Sequence, residues 1–312
     1  MSRVIGVLSG KGGVGKTTIV SNLAAALTNV FNKNVLIFDS NIHTSHLGLH
    51  LGMYEDLPAT LREVLNRKVS ILNAVYLHPQ TGIRIIPAPL SGDGVNLTKD
   101  RCCKLVNEVK NNYDIVILDC SPGLGKEAVT AISAIDEGLI VTTPEFPAVA
   151  DALKTIDIFN KLGKKVSGIV INRYRNEKYE LTANEIVSTT KSNVLGLIPE
   201  DKRIPESISK GIPAVLLYPH SPASIGLKRL AANLINEDYR EASFIERLLQ
   251  LFNFGKFNSK MIAVPTEEKM VPRETEIKDI NRLKEDLTKE VKTELKRRVA
   301  ERLKKRLEER VE

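Results

Sequence analysis

Residues 9–18 read Ser-Gly-Lys-Gly-Gly-Val-Gly-Lys-Thr-Thr, and their types and spacing suit the binding of an anion. Gly10 and Gly15 enclose four residues and are followed by Lys16 and Thr17. This satisfies G-x-x-x-x-G-K-[ST] in full. Glycines let the backbone curl until successive N–H groups face one anion. A helix beginning near Lys16 adds its positive end. Gly10, Lys11, Gly12, Gly13, Val14, Gly15, Lys16, Thr17 and Thr18 are therefore expected to cradle the phosphates of a nucleotide. Lys16 would reach the β- and γ-phosphates, and the Thr17 hydroxyl would ligate Mg²⁺. Mg²⁺ takes hard oxygen ligands and keeps several waters. Two aspartates close apolar runs, Asp39 in VLIFDS and Asp119 in IVILDC, and both are expected beside the metal. One lysine completes the general pattern. Lys11 is a second, at the mouth of the loop.

Something must hold this loop rigid. Apolar runs rich in Val and Ile recur at Val4–Leu8, Val35–Phe38, Ile83–Ile86, Ile115–Leu118, Leu139–Val141, Val166–Ile171 and Val194–Leu197. Runs apolar throughout suit strands buried on both faces. Helical stretches lie between them: Thr17–Val30, Lys99–Lys110, Lys126–Ile135, Ala148–Leu162 and Ala183–Lys191. The alternation predicts an α/β fold, a mostly parallel sheet flanked by helices on both faces, with a helical extension at the C-terminal end. Ligands in such sheets bind at the carboxyl ends of the strands, where the motifs fall.

The chain has 312 residues, enough for one large α/β domain or two smaller ones. Its net charge of +7 would permit an anionic partner, but the excess is spread along the chain and forms no one-signed block. A dedicated nucleic-acid binder is disfavoured on that ground. Cys102, Cys103 and Cys120 form no C-x-x-C pair, which argues against a disulfide scaffold and an iron–sulfur carrier. Cys102 and Cys103 are expected on a helix, about 100° apart. No signal-like segment or stretch of about 18 apolar residues occurs, so a cytoplasmic protein is expected.

The doubled lysine in KGGVGKT resembles the MinD/ParA family of deviant Walker A P-loop ATPases. The likeness covers roughly residues 1–236, through GKGGVGKTT, VLIFDSN, ILDCSPG, TTPEFPAVADALKTI, VINR and LIPED. The resemblance implies an ATPase that pairs with a second copy of itself, two ATP molecules lying between the copies. It makes Lys11 a catalytic cation reaching the partner's phosphates. It implies that the Asn172 amide reads the adenine edge, that Pro199 and Glu200 flank the base, and that Glu145 and Asp151 lie near the dimer face. Where the family carries a second aspartate that orients the attacking water, this chain has Asn41. A lost charge-assisted hydrogen bond predicts hydrolysis about 10- to 100-fold slower than in relatives. The alternative is compensation by a nearby residue such as His43. In DCSPG, Pro122 is displaced by one position from the usual pattern.

The ATPase domain is expected to end near Asn236. At 100° per residue, Phe244, Ile245, Leu248, Leu249, Leu251 and Phe252 fall within about 160° of one another. Residues 244–257 are therefore a candidate amphipathic helix for an anionic membrane surface, as the resemblance also implies. The alternative is a helix folded back onto the domain. Residues 258–272 read as a linker and 273–312 as a charged helical arm. In that arm the apolar positions recur every four residues, so their stripe wanders and a long coiled coil is disfavoured. The expected function is an ATP-dependent switch, peripheral on the inner face of the cell membrane when ATP-bound. It would serve cell division or other positioning through a regulatory or cargo protein. A DNA- or cargo-partitioning ATPase and a low-turnover nucleotide-binding scaffold are the alternatives.

Overall fold

The structure, a computed structural model, describes residues 2–42, 45–53, 57–89 and 96–240. The expectations for His43 and for residues 244–257, 258–272 and 273–312 lie outside the described residues. Eight strands form one sheet: β1 (Arg3–Leu8), β2 (Val35–Asp39), β3 (Tyr76–Leu77), β4 (Arg84–Ile86), β5 (Ile115–Asp119), β6 (Glu137–Thr142), β7 (Lys165–Tyr174) and β8 (Val194–Pro199). Their order is β3-β4-β2-β5-β1-β6-β7-β8. All pairs are parallel except β3–β4 at the edge.

The helices are α1 (Lys16–Asn29), α2 (Leu47–His50), α3 (Leu61–Leu65), α4 (Lys99–Lys110), α5 (Lys126–Ala134), α6 (Phe146–Lys161), α7 (Ala183–Thr190), α8 (Arg203–Ser209), α9 (Ala214–Leu217) and α10 (Pro222–Ile235). The strands are apolar on both sides because both sides are covered. Ile5 and Val7 of β1 pack with α1 and α10, in company with Leu23, Leu27, Leu227 and Leu230. Val4 and Leu8 face the opposite layer, with Val106 of α4, Ile132 of α5 and Val149 of α6. β1 is thus clamped at the centre, and the loop that leaves it starts from a fixed point.

The expected runs and the strands coincide within a few residues. The short helices α2, α3 and α9 were not anticipated, and neither were β3, α8 and α10. β3 is a two-residue antiparallel edge, too short to leave a periodic signal. α8 is a seven-residue helix with Pro205 inside its first turn. α10 opens on Ser221, whose hydroxyl accepts from Ser224 N, with Pro222 at its first position, and it closes on Asn236 in the left-handed region. α10 is the missing cover for one end of the sheet. The guanidinium of Arg3, at the start of β1, donates to Leu234 O at 2.8 Å and also pairs with Glu137 at 2.6 Å. Packing continues past Asn236. Lys33 pairs with Glu237 at 2.7 Å, and Tyr239 meets Phe31 edge to face.

Candidate functional site

The loop after β1 is built on close approach. Gly10 sits so near α6 that a Cβ there would lie 2.4 Å from the Asp151 carbonyl oxygen. Gly13 and Gly15 have φ of 80° and 94°, a region that costs little only for glycine. Ser9 Oγ donates to Lys11 O at 2.7 Å, and Gly123 N donates to Ser9 O at 3.0 Å, which ties the loop to the segment after β5. Gly10→Ala should therefore push the loop off α6. We expect a loss of about 1–3 kcal/mol in stability and at least ~10-fold in ATP affinity, read from thermal melts and nucleotide titration. An unchanged titration would overturn the expectation.

Lys16 opens α1 and is buried, at 8% exposure. Burial lowers the pKa of its ammonium, and Asp119 works against that shift. Thr17 Oγ1 donates to Asp119 Oδ2 at 2.7 Å. Asp39 and Asp119 are register partners at the carboxyl ends of β2 and β5. Ser40 closes the seam, its N–H and hydroxyl both donating to Asp119 O at 3.0 and 2.8 Å. Asp39 accepts from Ser45 Oγ at 2.5 Å and from Asn41 N at 3.0 Å. Burial raises the pKa of both carboxyls, and the neighbouring charge of Asp119 raises Asp39 further.

Asp119 Oδ1 is buried without a hydrogen-bond partner. An orphaned carboxylate oxygen asks for a cation. With a second buried carboxyl and a threonine hydroxyl beside it, this donor set fits Mg²⁺.

Asn172 ends the buried part of β7, and its Nδ2 donates to Val14 O at 2.8 Å. The side chain thus braces the loop. Its remaining amide hydrogen and Oδ1 are the atoms suited to reading a base edge. Pro199 ends β8, and Glu200 N donates to Tyr174 O, so both stand at the same rim as Asn172. Glu200 also pairs with Arg175 at 3.4 Å. Lys11 is half-buried, and among the described residues its ammonium has no hydrogen bond or ion pair. Lys16 has a counter-charge in its own chain, and Lys11 lacks one among those residues.

A family model for ParA, described as NUBPL iron-transfer P-loop NTPase, matches residues 1–235. The chain belongs to the ParA/MinD family of P-loop NTPases. An uncharacterized ATP-binding protein of Methanocaldococcus jannaschii is 37% identical over 262 residues, covering 80% of this chain and 96% of the relative. The septum site-determining protein MinD of Synechocystis is 30% identical over 258 residues, covering 81% and 97%. MinD of Pyrococcus horikoshii, solved in complex with Mg-ADP, superposes with a TM-score of 0.70 at 30% identity, covering 75% of this chain and 96% of that one.

Iron transfer, part of that family description, finds no support in the cysteines of this member. Cys102 faces the core from α4, and burial pushes its thiol up to about 12. Cys120 is buried after β5 and its thiol donates to Leu118 O. Among the described residues no three His, Cys, Asp or Glu side chains are grouped to hold a metal ion. No described helix is long and apolar enough to cross a membrane.

Sequence reasoning missed Ser45, Ser121 and Glu127. Ser45 supplies Asp39 with a donor. Ser121 Oγ lies 3.1 Å from Asn41 Oδ1 and 2.5 Å from Glu127 Oε2. A hydroxyl two residues after a strand-ending aspartate was the available signal. The reach to α5 was not written locally.

Proposed function

We propose that this protein is an ATP-dependent dimerising switch of the MinD type, with slow ATP hydrolysis to ADP and phosphate. The observation that carries the reading is Lys11. A half-buried cation on a phosphate loop, without a counter-charge among the described residues of its own chain, suits the phosphates of a nucleotide held by a second copy. In that reading Gly10–Thr18 bind the triphosphate, Lys16 neutralises its outer phosphates, and Asn172, Pro199 and Glu200 receive the base. Thr17 and Asp119 would hold Mg²⁺, with Asp39 behind them. When bound, the metal would neutralise negative charge on the phosphates. Asn41 orients the attacking water without a charge of its own, and that makes turnover slow. Pairing brings two copies of residues 244–257 to one anionic membrane surface, where two weak interfacial contacts act together. Hydrolysis separates the copies and releases them, so the product of the cycle is a change of place. A regulatory or cargo protein reads that state, in cell division or another positioning task.

The test is co-sedimentation of the full chain with vesicles containing anionic lipid, with and without ATP, beside a variant lacking residues 244–257. We expect ATP to increase binding of the full chain by ~10-fold or more and to leave the deletion variant in the supernatant. Equal binding by both proteins would remove the membrane reading. ATP-dependent sedimentation with DNA instead would favour a DNA-partitioning role.

A further inference from the structure

Near its end, β7 carries one residue more than the strand beside it. Ile171 stands opposite Leu197 of β8 and Asn172 opposite Ile198, but the next pair is Tyr174 opposite Pro199. Arg173 has no counterpart. Its φ is 59°, and among the described non-glycine residues with positive φ it alone lies inside a strand. We propose that this left-handed step at Arg173 is a specificity element of the nucleotide site, which turns the Tyr174 ring off the face that receives the base and brings Asn172 and Glu200 to one rim. The proposal rests on the reading above, in which Asn172, Pro199 and Glu200 receive the base.

The faces of the strand carry the argument. Successive residues of a strand point to opposite sides of the sheet. Val170 packs in the layer that holds Val14 and α1. Asn172, two residues on, reaches Val14 O from that same side. Ile169 and Ile171 face the other layer. Regular alternation would put Tyr174 on the side of Val170 and Asn172. Its ring packs instead against the layer of Ile169 and Ile171, and its hydroxyl donates to Asn176 Oδ1 at 2.7 Å. One extra residue reverses the alternation, as a bulge does. Without it the phenol would project from the same face as the Asn172 amide, two residues beyond it, into the ground assigned to the base.

The same step aligns two strand ends. Glu200 N donates to Tyr174 O at 3.0 Å, so the chain after β8 is tied to the residue just past the bulge. Asn172 is the last residue before the bend, and the bond to Val14 O holds its amide against the phosphate loop. A side chain at Gly15 would collide with that amide, so loop and strand end fit closely. The Arg173 side chain is exposed, and among the described residues it makes no hydrogen bond or ion pair. What the position contributes is its backbone. The left-handed region is unfavourable for any residue with a Cβ and worst for a β-branched one. Such a conformation persists where the surroundings impose it, as at a ligand rim.

Two substitutions at this position act on the backbone in opposite senses. Arg173→Gly accepts the left-handed conformation without steric cost and should keep ATP affinity within about 2-fold of wild type. Arg173→Val resists it and should lower ATP affinity about 10- to 100-fold. Adding Tyr174→Ala to Arg173→Val removes the ring that has swung round and should recover most of the loss. Tripolyphosphate, which offers the phosphates without a base, should bind Arg173→Val as it binds wild type. Calorimetric titration of the full chain in the presence of Mg²⁺ reads all four.

Wild-type ATP affinity in Arg173→Val would overturn the proposal. So would a loss in Arg173→Gly as large as that in Arg173→Val, which would assign the effect to the guanidinium. Equal losses for ATP and tripolyphosphate would mark a general defect of folding, and failure of Tyr174→Ala to recover affinity would leave the ring without a part; either result sinks the proposal. A wild-type chain that binds ATP no more tightly than tripolyphosphate would overturn the base reading as well. One that binds neither would overturn the ATPase reading itself, which separates the failures.

Discussion

Lys11→Ala should abolish ATP-dependent pairing and lower ATP turnover by about 10³-fold or more, the range for a cation supplied in trans to a transferring phosphoryl group. The magnitude follows from division of labour on the loop. Lys16 is buried at the head of α1 with Asp119 beside it, so it serves the nucleotide of its own chain. Lys11 lies five residues earlier, at the mouth, without a described counter-charge. Removing it leaves the cradle of N–H groups in place. Nucleotide affinity of a single copy should accordingly change by less than about 10-fold. Light scattering with a non-hydrolysable triphosphate reads the pairing, phosphate release reads the turnover, and a fluorescent nucleotide reads the affinity. An alanine variant that pairs normally would leave an ordinary nucleotide binder.

The second large effect concerns the two buried aspartates. Two carboxyls packed side by side, each raised in pKa by burial, hold their protons more tightly folded than unfolded. The folded state then binds more protons than the unfolded one above about pH 4, and stability of the nucleotide-free protein falls as pH rises. A divalent cation reverses this by accepting both charges. In Asp119→Asn the pH slope should be shallower, since one of the two groups no longer titrates. The slope is the readout, because Lys16 loses its counter-charge in the same variant and absolute stability shifts for that reason too. The increment from Mg-ATP should vanish. In wild type, ligand at 1,000 times its Kd contributes about 4 kcal/mol. Thermal melts from pH 5 to 8, with and without Mg-ATP, measure both. A variant that keeps its Mg-ATP increment would place the metal elsewhere.

How much of this could be read from residues alone varied with the range of the interaction. The phosphate loop was legible because its demands are local: glycines where φ is positive, a lysine and a threonine at the helix start. The helix over Lys99–Lys110 was legible with its boundaries, since Asp100 in the first turn and Lys110 in the last mark its ends. α10 was not read, although its Ser-Pro start and Asn end are ordinary signals. It is buried over most of its circumference and carries Gly226 and Lys228 among its buried positions, so it shows no clean apolar stripe. The Asn41–Ser121–Glu127 chain was out of reach for a different reason. Its first two members lie 80 residues apart, and only the register of β2 against β5 brings them together. The orphaned oxygen of Asp119 was likewise invisible, since a sequence names a carboxylate but not which of its oxygens is served.

The bond from Arg3 to Leu234 O fixes where the described chain departs. Arg3 begins the strand whose far end, ~20 Å on, carries the nucleotide loop. The described residues after α10, 236–240, therefore lie at the side of the sheet remote from the phosphate loop. The phosphate loop therefore sits a full strand's length from the described residues that follow α10. In the switch proposed above, nucleotide occupancy would be read through pairing and not through a push along the strand.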